Sequence, residues 1–121
     1  MFGNKSTSEN LNHSLTLIGE SATIDGNLST KASIKVDGRI NGDVKVEGRV
    51  ILSESGHIQG NVNASEVEIY GKLDGNVTAK TLSLRSGGYI TGNISVKDLE
   101  IESGANYQGH VQMQASVTTT V

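Results

Sequence analysis

The sequence predicts an all-β fold: a right-handed, triangular parallel β-helix (β-solenoid) of about six coils, flanked by disordered tails. A turn written IDGNL at 24–28 recurs as INGDV, IQGNV, LDGNV, ITGNI and YQGHV, with glycines at 26, 42, 60, 75, 92 and 109. These intervals suit one solenoid coil of three short strands. The chain also has 15 glycines and no proline, as expected where nearly every strand has a neighbour on both sides.

Each repeat contains the same parts in the same order. In VEIYGKLDGNVTAK at 67–80, apolar and polar residues alternate along three short segments, which is the period of half-buried strands. The glycines mark corners because glycine adopts positive φ without steric cost. The polar residue that follows the second glycine tolerates similar conformations and can bond the local backbone; these residues are Asn27, Asp43, Asn61, Asn76 and Asn93.

Aligned repeats place apolar residues in columns. One column contains Ile24, Ile40, Ile58, Leu73, Ile90 and Tyr107, and another contains Leu28, Val44, Val62, Val77, Ile94 and Val111. Coils stacked at the strand spacing of about 4.8 Å turn such columns into continuous ladders. An outward column, in which like charges do not adjoin, contains Lys35, Ile51, Glu68, Ser83 and Glu100.

An antiparallel sandwich or meander is the alternative fold, since it shows similar alternation and turn spacing. It does not, however, require columns at a fixed period. The handedness follows from the irregular spacing, because left-handed solenoids usually keep a strict hexapeptide rhythm. The varying interval therefore favours a right-handed coil.

The repeat defines a β-helix domain at 14–113, and the polar segments at 1–13 and 114–121 are expected to be disordered tails. Neither tail contains an amphipathic helix long enough to cover an end coil. Open strand edges at both ends predict end-to-end assembly into a filament, and tails that fold over the ends are the alternative. The predicted polymer interface, with the first coil starting near Leu15, contains Leu15, Leu17, Ile24, Leu28, Leu99, Ile101, Tyr107, Val111 and Met113.

Composition excludes several classes of protein. The net charge of −3 argues against a nucleic-acid footprint, and the absence of cysteine removes disulfides and thiolate metal sites. No secretory signal and no apolar run of about 20 residues occur, so we expect a cytoplasmic protein. No G-x-x-x-x-G-K-[ST] motif occurs, so we expect polymerisation without a nucleotide switch.

No catalytic constellation is found in the sequence. His13 lies in a tail, whereas His57 and His110 are predicted at corners three coils apart, which is the wrong spacing for one zinc site. We therefore expect no catalytic residue, no metal, no cofactor and no enzyme activity. Two alternatives stay open: a β-helical enzyme, such as a hexapeptide-type transferase or zinc hydratase, and a monomeric binding module.

The first residues, MFGNK, suggest a membrane contact. Met1 and Phe2 form a short apolar tip, and Lys5 lies close behind. A single buried phenylalanine contributes only about 1.5–3 kcal/mol, which is too little to anchor one chain. A filament presents the same tip many times, and linked weak sites bind strongly.

The sequence resembles the bactofilin family over about residues 14–113. The resemblance rests on the repeated I-x-G-[ND]-V corners, the units IKVDGRINGDV and VEIYGKLDGNV, the final IESGANYQG and the short MFGNKS start. It implies a bacterial cytoskeletal scaffold that polymerises without nucleotide into non-polar filaments, joined head-to-head and tail-to-tail. It also implies binding to the inner face of the cytoplasmic membrane and recruitment of cell-shape or cell-wall proteins. The family often has Phe where this chain has Tyr107.

Overall fold

The computed structural model describes residues 15–114, and all of the regular structure in this part of the chain is β-strand. The predicted N-terminal tail and residues 115–121 lie outside the described residues. The strands are β1 (Leu15–Ile18), β2 (Thr23–Asp25), β3 (Leu28–Thr30), β4 (Ser33–Val36), β5 (Arg39–Asn41), β6 (Val44–Val46), β7 (Arg49–Leu52), β8 (His57–Gln59), β9 (Val62–Asn63), β10 (Glu66–Ile69), β11 (Lys72–Asp74), β12 (Val77–Thr78), β13 (Thr81–Leu84), β14 (Tyr89–Thr91), β15 (Ile94–Val96), β16 (Asp98–Ile101), β17 (Asn106–Gln108) and β18 (Val111–Met113).

The strands form three six-stranded sheets, and each coil contributes one strand to each sheet. Sheet 1 has the order β1-β4-β7-β10-β13-β16, sheet 2 the order β2-β5-β8-β11-β14-β17, and sheet 3 the order β3-β6-β9-β12-β15-β18. Every strand pairs in parallel with the strand one coil away. This confirms the predicted triangular β-solenoid of about six coils and excludes the antiparallel alternative.

The core consists of the predicted apolar columns. Register joins Ile24, Ile40 and Ile58 in one column, and it joins Leu28, Val44 and Val62 in the other. The inward side chains of the middle coils are almost completely buried, and no polar or charged side chain of the described residues is buried with them. Aliphatic side chains alone therefore fill the interior, consistent with the preference of β-branched residues for pleated surfaces.

Two variable connections explain the irregular period. The connection between sheets 1 and 2 has two residues in the second and fourth coils, at 37–38 and 70–71, and four residues in the other coils. From the inward residue of sheet 3 to its counterpart in sheet 1, the chain advances six residues after the first two coils, as from Val44 to Val50, and five after the later ones, as from Val62 to Val67. The strands stay in register while the corners absorb the difference. The intervals between repeated glycines vary for this reason.

The first strand has a register that the sequence pattern LTLI leaves open. Thr16 pairs with Ile34 and Ile18 with Val36, so these two residues face the core. Leu15 and Leu17 pair with Ser33 and Lys35 and lie on the outer face of sheet 1. A shift of one residue exchanges the two faces of a strand, and the alternation in LTLI fits either choice.

Candidate assembly site: the two open ends

The last coil ends the apolar columns without covering them. Its five inward residues pair with core residues of the preceding coil: Leu99 with Leu82, Ile101 with Leu84, Tyr107 with Ile90, Val111 with Ile94, and Met113 with Val96. These five residues form the C-terminal end surface. Leu84 is 0% exposed and Ile94 is 1% exposed, whereas Ile101 is 46%, Val111 40% and Met113 49% exposed. Within residues 15–114, the core is therefore open at this end.

The backbone is also open at this end. Among the described residues, β16, β17 and β18 each have a partner on one side only, because each is the last strand of its sheet. Unpaired strand edges pair readily with other chains. Exposed apolar side chains and free backbone groups thus occur together, which is the combination that a further layer of β-structure would satisfy.

Tyr107 places its ring against this open core and turns its hydroxyl back into the protein. Its hydroxyl oxygen lies 2.8 Å from the Gly92 carbonyl oxygen and 2.7 Å from the His110 carbonyl oxygen. A phenol has one hydrogen to donate, so the two acceptors share it. Burial raises the pKa of the Tyr107 hydroxyl above its ordinary value. The polar group is therefore satisfied internally, and the half-buried ring remains part of the apolar end surface.

A side-chain ladder runs along the corner between sheets 2 and 3. The side-chain oxygen of Asn27 accepts a hydrogen bond from the Asp43 backbone N–H at 2.9 Å, and the contact recurs at each of the following coils. The last contact, from the His110 N–H to Asn93, is longer at 3.4 Å. These side chains therefore bond the next coil, not the local backbone as the sequence suggested. The ladder ends at residue 110 because that residue belongs to the last described coil, where a histidine occupies the position of the asparagine.

An ion network attaches the last coil along the edge of sheet 1. Arg85 Nη2 lies 2.9 Å from Glu68 Oε2, and Arg85 Nη1 lies 3.1 Å from Glu102 Oε2. The other Glu102 oxygen accepts the Ser86 backbone N–H at 2.9 Å. This hydrogen bond, together with Arg85, lowers the pKa of Glu102 below its ordinary value. The network links the fourth, fifth and sixth coils around the open end.

The N-terminal end is open as well but less apolar. Its inward positions are Thr16, Ile18, Ile24, Leu28 and Thr30. Ile18 is 8% exposed, and Ile24 and Leu28 are partly buried against the core. Two threonines thus replace aliphatic residues at this end. The two end surfaces differ in composition even though the coils that carry them have the same shape.

The described histidines do not form a common site. His57 opens β8 on the outer face of sheet 2, so its predicted position at a corner was wrong, and its Nε2 lies 2.9 Å from Asp74 Oδ2. His110 lies at the corner between β17 and β18 and is exposed. Within residues 15–114 there is no group of three potential metal-ligating side chains. The same residues contain no helix that could cross a membrane.

The structure separates the predicted interface residues into two groups. Seven of them are inward positions of an end coil: Ile24 and Leu28 at the N-terminal end, and Leu99, Ile101, Tyr107, Val111 and Met113 at the C-terminal end. Leu15 and Leu17 instead lie on the outer face, beside the N-terminal end. Sequence reasoning missed Thr16 and Ile18, which alignment of the first strand in the opposite register would have found. It also left Thr30 out of the interface, although Thr30 follows Leu28 on the same inward face. Met1, Phe2 and Lys5 lie outside the described residues.

Together these features define a class: a β-solenoid with open, apolar ends, suited to association with further copies of itself. Three comparisons with known proteins agree. A family model described as "Bactofilin: Polymer-forming cytoskeletal" matches residues 16–112. The chain is 30% identical over 64 residues to Bactofilin BacO of Myxococcus xanthus, a match that covers 53% of this chain. The chain spans about half (51%) of the length of that curated relative.

Two solved structures share the fold. The cytoskeletal bactofilin BacA, determined by solid-state NMR, superposes with a TM-score of 0.74 at 33% identity, over 87% of this chain and 99% of that one. A bactofilin of Thermus thermophilus, solved by electron cryomicroscopy as double helical filaments, superposes with a TM-score of 0.71 at 28% identity, over 80% of this chain and 99% of that one. The chain belongs to the bactofilin family of polymer-forming cytoskeletal proteins.

Proposed function

We propose that this protein forms cytoskeletal filaments by stacking its end coils against those of further copies. The observation that carries the proposal is the exposure of Ile101, Val111 and Met113, whose partners one coil earlier are buried. A second copy at this end would bury these side chains and add strand neighbours to β16, β17 and β18. Burial of apolar surface supplies the driving force, at about 25 cal/mol per Å².

The same proposal includes assembly without nucleotide and without a cofactor. The sequence has no phosphate-binding loop, and stacking of preformed coils requires no change in shape. The filament of the Thermus thermophilus relative is a double helix. By analogy, two strands of stacked copies pair side by side in this protein. The joints are head-to-head and tail-to-tail, as the family resemblance implies.

We place the filament at the inner face of the cytoplasmic membrane, as a scaffold for cell-shape or cell-wall proteins. The support is the apolar start of the chain, Met1 and Phe2 followed by Lys5, and the multiplication of weak contacts along a polymer. Catalysis forms no part of this role.

Replacement of Tyr107 by arginine tests the end contact. We expect Tyr107→Arg to abolish filaments in electron micrographs of the purified protein prepared without nucleotide, because an unpaired charge buried in a stacked interface is costly. Circular dichroism should show an unchanged β-fold. Tyr107→Phe keeps the ring and should still form filaments.

Tyr89→Arg provides a matched control, because Tyr89 lies one coil before Tyr107 on the outer face of sheet 2. This variant should polymerise normally. Filaments of Tyr107→Arg that match those of the wild type would show that the C-terminal end is not an interface.

Removal of the first five residues tests the membrane contact. Deletion of residues 1–5 should leave filaments intact but reduce their co-sedimentation with liposomes by more than tenfold, since the loss is repeated in every copy. Phe2→Ser should reproduce most of the loss. Unchanged co-sedimentation would refute the role of the apolar start.

A further inference from the structure

The outer faces of the solenoid are polar except in one place. Within residues 15–114, the outward strand positions hold only three aliphatic side chains, and all three lie in the first half of sheet 1: Leu15, Leu17 and Ile51. Leu15 is 55% and Leu17 is 58% exposed. Lys35 lies between Leu17 and Ile51 in the same column. We call Leu15, Leu17, Lys35 and Ile51 the lateral strip.

The lateral strip is unsuited to stacking along the solenoid axis. Its side chains point away from the core, whereas an end-to-end contact continues the inward columns and the strand edges. Exposed leucines of no structural use to the monomer mark an interaction surface when they adjoin one another. The surface runs along the side of the coil, so its partner must approach from the side.

The size of the strip restricts that partner. A stable complex buries about 800 Å² on each side, and two half-exposed leucines with one partly buried isoleucine supply far less. A single copy could not hold a globular partner by this strip alone. Copies stacked in a filament repeat the strip along its length, and repeated weak contacts between two such filaments add together.

The charges around the strip favour a second copy over a membrane. Lys35 Nζ lies 3.9 Å from Asp37 Oδ1, and Arg49 Nη2 lies 2.8 Å from Glu66 Oε1. Both cations therefore have carboxylate partners within the chain, which reduces the net positive charge that the strip offers to lipid headgroups. The far half of the same face carries three carboxylates, Asp98, Glu100 and Glu102, with Arg85 paired to the last two. An anionic bilayer would repel the excess negative charge there.

We therefore infer that the lateral strip is the contact that pairs two strands of stacked copies side by side. The inference rests on the proposed filament and specifies its lateral interface. The carboxylates of the last coil would repel one another where they met directly, so the contact is centred on the first three coils. Single copies do not pair through it, and stacked copies do.

The test compares two double variants in the same two columns of sheet 1. Leu15→Ser with Leu17→Ser removes the apolar part of the strip from the first coil. Asp98→Ser with Glu100→Ser changes the matching outward positions of the last coil. Mass per unit length from scanning transmission electron microscopy then counts the strands in each filament. The leucine variant should halve this value at an unchanged subunit spacing, and the acidic control should retain the wild-type value.

Other outcomes separate this inference from the proposed function. Single-stranded wild-type filaments would overturn the inference together with the proposed side-by-side pairing, and a leucine variant that stays double would overturn the inference alone. End-to-end assembly would stand in both cases. Loss of all filaments in the leucine variant would overturn it too, since the strip would then belong to the end contact. Loss of pairing on deletion of residues 1–13 alone would assign pairing to that segment. A wild-type protein that forms no filaments would refute both proposals.

Discussion

The glycine between the second and third strands satisfies two separate requirements in every coil but the first. Gly75 has φ of 151°, a backbone conformation that residues with a side chain rarely adopt. A Cβ atom at this position would also lie 2.0 Å from the carbonyl oxygen of Gly60 in the preceding coil. Gly26, in the first coil, has φ of 127° but no atom within 4 Å of such a Cβ. The close approach of coils therefore requires glycine only in a coil that has a preceding coil.

Alanine substitutions at these two glycines separate the two requirements. Gly26→Ala should cost about 1–3 kcal/mol of unfolding free energy through backbone strain alone. Gly75→Ala should cost about 1–3 kcal/mol more through overpacking against the Gly60 carbonyl. Urea unfolding in the Tyr107→Arg background, at one fixed protein concentration because the N-terminal end contact is left intact, measures both values without coupling to filament growth. Equal losses would show that the close approach to the preceding coil contributes nothing.

At the scale of strands and corners, the last coil depends on side-chain contacts because it has a neighbour on one side only. The four-residue corner at 102–105 starts with Glu102, which bonds the Ser86 backbone of the preceding corner and Arg85. Arg85 also donates a hydrogen bond to Glu68 in the coil before its own. The network therefore holds the corners of three successive coils at the edge where assembly is proposed.

Glu102 makes the last coil sensitive to acid. Because folding lowers the pKa of Glu102, its contribution to folding stability is present above the ordinary carboxyl pKa. That contribution is lost as the pH falls through the lowered pKa. Glu102→Gln should therefore melt slightly earlier than its parent at pH 7 and lose less stability between about pH 5 and pH 3.

Glu100→Gln is the matched control, since its carboxylate lies 3.8 Å from Arg85 and is 65% exposed. It should follow the pH profile of its parent. Thermal melts across this pH range, again in the Tyr107→Arg background, provide the measurement. Profiles of Glu102→Gln and Glu100→Gln that coincide would refute the role of Glu102.

At the scale of the whole molecule, the repeat made the coil count, the sheets and the inward columns predictable. A residue such as Ile58 has equivalents one coil above and below, and the Gly-Asn corners fix their alignment. Leu15 and Leu17 have no coil above them, so their orientation had to come from coordinates. The lengths of the corners could not be predicted either, because residues can be added at a corner without moving the strands.

The site was predictable to the same extent. The seven inward interface positions follow from the columns and from the ends of the repeat. The partners of the Tyr107 hydroxyl could not be foreseen, because the Gly92 carbonyl meets it through the close approach of the last two coils and the His110 carbonyl through the shape of the local corner. The asparagine ladder was missed for a similar reason, since its contacts span 15 to 18 residues.

The axial spacing of subunits in the filament tests end-to-end stacking most directly. Six coils at about 4.8 Å each give one subunit for about every 29 Å along a strand. Electron cryomicroscopy should show this spacing, with the 4.8 Å layers continuing across each joint. A spacing well below this length, or solenoid axes inclined to the filament axis so that the layers are interrupted, would contradict assembly through the open end coils.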